Sequence, residues 1–260
     1  MDNPLFFRDI GAGNPTLLLH GFAEDSTVWD NQIGALRNTC RLILPDLPGS
    51  GRSPALATSI SITEMATAVK GLLDQLEIDR CTLIGHSMGG YIALAFAAFY
   101  PERLNALGLF HSTAYPDTEE KRTTRRKAMD FIRQNGSAPF IRQSTPNLFS
   151  AWTREHRPEL IENTIAKYSG FAPSSLIAYY EAMIARPDRT EVLRQFTGPV
   201  LFIIGRDDNV IPLQQSLEQV ALPSISHLHM VENAGHQAML EQPEKSNQLL
   251  QDFLTFLSQI

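Results

Sequence analysis

The chain has 260 residues, 43% of them hydrophobic and 19% charged, with a formal net charge of −6. These are ordinary globular values, and the length suits one domain carrying an insertion. The acidic balance, without a basic stripe interleaved with aromatics, argues against a nucleic-acid binder, and no apolar run reaches membrane-spanning length. Met1-Asp2-Asn3-Pro4 lacks the basic start of a secretion signal, so a cytoplasmic location is expected.

In chain order, Leu5–Arg8 reads as an antiparallel edge strand and Thr16–Leu19 as a buried strand, followed by His20-Gly21-Phe22. A helix with Trp29, Ile33 and Leu36 on one face comes next, then a strand at Arg41–Pro45. The glycine-rich stretch Asp46–Ser53 lacks the Lys-Ser/Thr of a phosphate loop and precedes no immediate helix, so it reads as a structural turn. Ser61-Ile62-Thr63-Glu64 is a capping box opening a helix that turns Met65, Val69, Leu72 and Leu76 inward. Cys81–Ile84 reads as a strand, Met88–Phe99 as an apolar helix stopped by Pro101, and Asn105–Phe110 as another strand.

Tyr115 to Arg189 breaks this alternation. Thr118–Gln134, Ala138–Phe149, Glu155–Tyr168 and Pro173–Ile184 all show helical patterning, predicting an all-helical cap at residues 115–189 between core segments 1–114 and 190–260. The cap holds 12 Lys+Arg against 9 Asp+Glu, where the whole chain has 22 against 28. Lys121, Arg122, Arg125, Arg126 and Lys127 read as a solvated helix face, or as an attraction for an acidic substrate or acyl carrier. Two further strands, Pro199–Gly205 and Ser226–Val231, precede a last helix from Pro243 carrying Leu249, Leu250, Phe253, Leu254 and Leu257 at helical spacing. Strands alternating with helices predict an α/β fold, a mostly parallel central sheet with helices on both faces.

The chemistry centres on Gly85-His86-Ser87-Met88-Gly89. A serine between a buried strand and a buried helix sits on a sharp turn with its hydroxyl pushed outward, the nucleophile elbow, and its small neighbours leave room for that turn. A serine needs a base, and the base an orienting acid. Of the seven histidines, His236 follows a strand in Glu232-Asn233-Ala234-Gly235-His236 and is the expected general base. His111 ends a strand and could line the pocket; His20 and His86 fit local hydrogen bonding. The acid follows the Pro199–Gly205 strand, where Asp207 and Asp208 are adjacent and stay open alternatives. The Met88 N–H, next to the nucleophile at the helix start, is an expected oxyanion donor. Glu241, before Pro243, reads as a helix-start carboxylate, not a second catalytic acid.

Together Gly85-His86-Ser87-Met88-Gly89-Gly90, His20-Gly21-Phe22, Pro45–Ser53 and Ala234-Gly235-His236 resemble the α/β-hydrolase superfamily from about Leu5 to the C-terminus, with a divergent middle. The resemblance implies Asp208 as the triad acid, through Gly205, Asp208 and Pro212, and the Phe22 N–H as the second oxyanion donor. In the family's sheet order the strands starting near Cys40 and Cys81 flank the Thr16–Leu19 strand, about 9–10 Å apart and too far for a disulfide. Neither cysteine has companion ligands for a metal.

The expected activity is a serine hydrolase cleaving a small carboxylic ester through an acyl-enzyme, with catalytic Ser87, Asp208 and His236, oxyanion donors Phe22 and Met88, no cofactor and no metal. Alternatives on the same triad are a perhydrolase and a carbon–carbon bond hydrolase. Hydrolases of that last kind often carry Asn before the nucleophile, where this chain has His86. A hydrolase-like small-molecule sensor is the non-enzymatic alternative. The expected partner is a small-molecule ester or related acyl compound, and neither nucleic acid nor membrane is expected.

Overall fold

The computed structural model describes residues 5–56 and 59–260. The Met1–Pro4 start on which the secretion reading rests lies outside them.

Seven strands form one sheet in the order β1-β3-β2-β4-β5-β6-β7. They are β1 (Phe7–Ile10), β2 (Pro15–Leu19), β3 (Arg41–Pro45), β4 (Cys81–His86), β5 (Leu104–Phe110), β6 (Val200–Gly205) and β7 (Ser226–Val231). Only β1 is antiparallel, pairing Phe7 with Pro45 at the edge, two residues beyond its expected start. The central strands β4 and β6 are buried at every position, which is why their sequences run apolar without alternation. β2 lies between β3 and β4, and Cys40 and Cys81 are both buried and free.

Helices cover both faces. One layer holds α2 (Ile62–Gln75), α3 (Met88–Phe99) and α9 (Thr190–Gln195), which enclose Met65, Val69, Leu73, Ile92, Phe96 and Leu193. The opposite layer holds α1 (Asp30–Leu36), α11 (Ala238–Glu241) and α12 (Pro243–Leu257), burying Trp29, Leu36, Met239, Leu250 and Phe253. α2 opens on the Ser61–Glu64 capping box, with both reciprocal bonds formed. α10 (Leu213–Val220) joins β6 to β7.

Between β5 and α9 lie α4 (Glu119–Asn135), α5 (Ser137–Ser144), α6 (Ala151–His156), α7 (Pro158–Tyr168) and α8 (Pro173–Ala185). Two of the four expected helices are divided. The Ala138–Phe149 stretch becomes α5 followed by a 3₁₀ turn at Thr145–Leu148, with Pro146 in its first turn. The Glu155–Tyr168 stretch breaks at Arg157, held at φ −138° and ψ 51° ahead of Pro158, because a residue before proline is driven out of the helical region. No helix among the described residues is long and apolar enough to cross a membrane.

Candidate active site

β4 runs straight into α3 through Ser87, which takes φ +50° and ψ −114°. That backbone is rare for a residue with a Cβ and costs about 1–3 kcal/mol, so the surroundings must hold it. The Ser87 N–H donates to Phe110 O at 3.0 Å, and the Ser112 hydroxyl donates to Ser87 O at 2.7 Å. Strand and helix approach so closely that a Cβ on Gly85 would stand 2.2 Å from Gly89 backbone atoms, and one on Gly89 2.6 Å from Leu19 and His20 carbonyls. Glycine at these two positions is a steric requirement.

Asp208 and His236 meet across the ends of β6 and β7. Asp208 Oδ2 accepts from His236 Nδ1 at 2.8 Å, while Oδ1 accepts the N–H groups of Val210 (2.7 Å) and Ile211 (3.0 Å). Burial would raise this carboxyl's pKa, but His236, His111 and their hydrogen bonds hold it far below the ordinary range. Asp207 is exposed.

His111, itself at φ +49°, puts Nδ1 3.3 Å from the same Asp208 oxygen. It also meets the N–H groups of Gly205 (3.1 Å) and Ala238 (3.3 Å). Burial pushes its pKa down to about 4, so the ring is neutral. Potential ligand atoms of His111, Asp208 and His236 lie within 4.8 Å of one another, close enough to hold a metal ion.

Two carboxylates organise the loops around these side chains. Glu24 accepts from Gly21 N–H (2.7 Å), Gln237 Nε2 (2.8 Å) and His86 Nδ1 (2.9 Å). His86 Nε2 faces the His236 carbonyl at 2.9 Å. Both ring nitrogens therefore face acceptors and both must donate, which makes His86 an imidazolium. Burial alone would lower its pKa, but Glu24 reverses the direction and raises it. The Glu24 carboxyl, which burial alone would raise, is drawn down to about 2 by His86. Glu241 accepts from the N–H groups of Gly235 (2.8 Å) and Ser150 (2.8 Å) and from the Thr153 hydroxyl (2.7 Å).

Phe22 stacks on Tyr180 at 4.4 Å and meets Phe140 edge-on at 6.2 Å. A cavity of about 90 Å³ is lined by Phe22, Phe140, Leu148, Tyr168, Tyr180 and Gln237 among others, so Phe140 is pocket wall as well as core. Asp46 is buried and accepts the N–H groups of Ser26 and Arg52, both at 2.8 Å, as a turn-forming carboxylate does. Glu24 and Gln237 carried no sequence signal beyond lying near a motif. Glu241, expected as a carboxylate at the start of the Pro243 helix, is instead the last residue of α11 and organises the loops, with Gln242 at the N-cap of α12.

A serine on a strained strand-to-helix turn and a histidine–carboxylate pair beyond β6 and β7 lie in a doubly wound α/β architecture. A family model described as "alpha/beta hydrolase fold" matches residues 14–243, and the chain belongs to that family. It is 33% identical to a 2-hydroxy-6-oxononadienedioate/2-hydroxy-6-oxononatrienedioate hydrolase of Paraburkholderia phymatum, over 95% of this chain and 90% of the relative. A thermophilic esterase from Thermogutta terrifontis, solved with malate bound, superposes with a TM-score of 0.93 at 33% identity, covering 97% of this chain and 93% of that one. The enol-lactonase from Burkholderia xenovorans LB400 superposes with a TM-score of 0.88 at 25% identity, covering 96% of this chain. The relatives are hydrolases acting on small molecules, and this chain is a hydrolase of the same family.

Proposed function

We propose that the chain is a serine esterase for a small carboxylic ester, with residues 115–189 serving as a cap over the site. The observation that carries this is Ser87 at φ +50° on the turn into α3, with the Asp208–His236 pair joined at 2.8 Å. Ser87 Oγ attacks the ester carbonyl while His236 Nε2 takes its proton and returns it to the leaving alcohol. Water activated by His236 then releases the acid. Asp208 orients the imidazole and stabilises its cation. The N–H groups of Phe22 and Met88 receive the oxyanion; among the described residues neither has a protein acceptor. One such donor contributes about 2.7–4 kcal/mol. No cofactor enters this scheme. The cavity of about 90 Å³ beside Phe22 favours a short acyl or alcohol group.

Carbon–carbon bond cleavage is the second reading, favoured by the 33% identity to the Paraburkholderia hydrolase. Against it, the position before the nucleophile is His86, committed to Glu24 and to the His236 carbonyl.

Initial rates on p-nitrophenyl esters from acetyl to decanoyl, with Ser87→Ala in parallel, test the proposal. Multiple turnovers with a short-chain optimum, reduced by at least about 10³-fold in Ser87→Ala, are expected. Equal rates in the two proteins would remove ester hydrolysis and bring ring-cleavage-type diketone substrates forward.

A further inference from the structure

The cations of α4 are largely engaged by the fold. Arg122 and Arg126 reach outward to Glu119 at 3.5 and 3.0 Å, and Lys127 is exposed. Arg125 binds buried Asp117 at 2.6 Å, and Lys121 Nζ donates to Val210 O at 3.1 Å. The solvated-face reading therefore covers Arg122, Arg126 and Lys127 only.

The cavity of about 90 Å³ beside Phe22 is a different case, because its wall carries polar atoms that the fold leaves unused. Gln237, 2% exposed, lines it together with Glu24 and Tyr168. The Gln237 Nε2 donates to Glu24 Oε1 at 2.8 Å, which fixes the amide, since its oxygen end would be repelled by the carboxylate. Oε1 is then the free end, an acceptor, and it has no hydrogen-bond partner among the described residues. Tyr168, 6% exposed, brings its hydroxyl near Thr27 and the Asp25 backbone without completing a hydrogen bond to either. Burial and Glu24 push this phenol well above its ordinary range, so it keeps its proton and can donate.

Native interiors leave few buried polar atoms unpaired, because each one destabilises the fold. Here two belong to the wall of one cavity, and the cavity adjoins the catalytic loops. Gln237 directly follows His236, so the two Cα atoms stand about 3.8 Å apart. Phe22, on the same wall, supplies the second N–H of the proposed oxyanion site. The volume far exceeds the roughly 15 Å³ that one water-sized group needs.

The chemistry of the wall selects the ligand. Ser144 spends its O–H on Phe140 O at 2.9 Å and Thr164 spends its own on Leu160 O at 2.8 Å, so both face the cavity as acceptors. A carboxylate has no proton for the Gln237 oxygen and would be repelled by Glu24. An ammonium group would find no free counter-charge, because His86 already compensates Glu24. A hydroxyl both donates and accepts. We propose that Gln237 and Tyr168 form a hydroxyl-binding subsite in this cavity, and that the substrate is an ester with a free hydroxyl on the arm that enters it. The inference rests on the esterase reading above and narrows its substrate class.

Two matched pairs test it: ethyl 3-hydroxybutanoate against ethyl 3-methylbutanoate, with the hydroxyl on the acyl side, and 2-hydroxyethyl acetate against propyl acetate, with it on the alcohol side. Within each pair a methyl replaces the hydroxyl at nearly equal size, and alkaline hydrolysis rates of the same esters correct for intrinsic reactivity. A kcat/KM preference of about 5- to 100-fold for the hydroxy ester in at least one pair is expected, the range set by leaving a buried polar group unpaired. That preference should shrink several-fold in Tyr168→Phe and Gln237→Met, and persist in Gln248→Met on the exposed side of α12. A merely structural role for the two residues would slow both members of a pair alike and leave the ratio where it was. Tyr168→Phe removes only a hydroxyl without a protein partner, so the test does not depend on Gln237→Met, which also cuts the bond to Glu24. Methyl-bearing esters hydrolysed as well as hydroxy esters in both pairs, or a preference unchanged in both subsite variants, would overturn the subsite while leaving the esterase intact. Failure of all four esters would overturn the esterase reading itself.

Discussion

At the residue scale, Glu24 and His86 carry a buried charge pair whose contacts run in three directions. Glu24 fixes Gly21 N–H and Gln237, and His86 fixes the His236 carbonyl, so the His20–Phe22 loop, the strand leading into Ser87 and the His236 loop share one network. Removing one partner of such a pair leaves a charge without compensation, at a cost of about 3–5 kcal/mol. Glu24→Gln should therefore lower the midpoint of urea unfolding, and it should lower kcat more than it raises KM, because Gly21 and His236 shift together. A drop in stability with kcat unchanged in the surviving folded protein would make the pair purely structural. The pH dependence has a definite sign. The Glu24 carboxyl falls from an unfolded value of 4.5 to about 2, so its contribution is complete above 4.5 and is lost as pH drops towards 2. His86 is shifted upward from 6.5, so its contribution is complete below 6.5 and is lost as pH rises through the folded value. The pair should stabilise most between about pH 4.5 and 6.5, and urea midpoints of wild type minus Glu24→Gln across pH should peak there.

At the scale of elements, the strand–turn–helix at 81–99 was readable because each part had its own signal: an apolar run, small residues, then an Ala-rich helix ended by Pro101. The same local consistency made the capping box of α2 visible from four residues. What sequence spacing did not show was how loops from distant elements meet. Glu241 looks like a helix-start carboxylate because its partners, Ser150 and Thr153, are 91 and 88 residues away. His111 could be assigned only to the neighbourhood, since its approach to Asp208 depends on the register of β5 against β6. The elbow itself gives a sharp expectation. Gly89→Ala places a methyl 2.6 Å from two backbone carbonyls that β2 cannot withdraw. It should destabilise by about 1–3 kcal/mol or more and reduce turnover, whereas Gly71→Ala, with open space around its Cβ, should do neither. Thermal unfolding of the two variants side by side separates steric strain from helix propensity.

At the scale of the whole molecule, stability and specificity are carried by different layers. Gln32 on α1 donates to Met239 O on α11 at 3.0 Å, joining positions 207 residues apart and closing the layer that contains Phe253 and Leu250. That layer lies across the sheet from the α2–α3 side and contributes none of the residues around the 90 Å³ cavity. The inserted helices are themselves unequal. The stretch from Leu148 to Arg157 is tied to the histidine loop, through His236 N–H to Leu148 O at 2.7 Å and Arg157 Nη1 to Glu241 O at 3.0 Å. α4, α5 and α8 instead pack their apolar side around Phe22, with Phe140 and Tyr180 as its neighbours. Two truncations should then behave oppositely. Phe253→Ala empties a buried site in the distal layer, costing about 3–5 kcal/mol and a Tm drop on the order of 10 °C, with the ester chain-length profile unchanged. Phe140→Ala removes a wall of the cavity beside Phe22 and should move the chain-length optimum to longer acyl groups. A profile that shifts equally in both variants would mean that the sheet transmits core packing to the site and that the layers do not act separately.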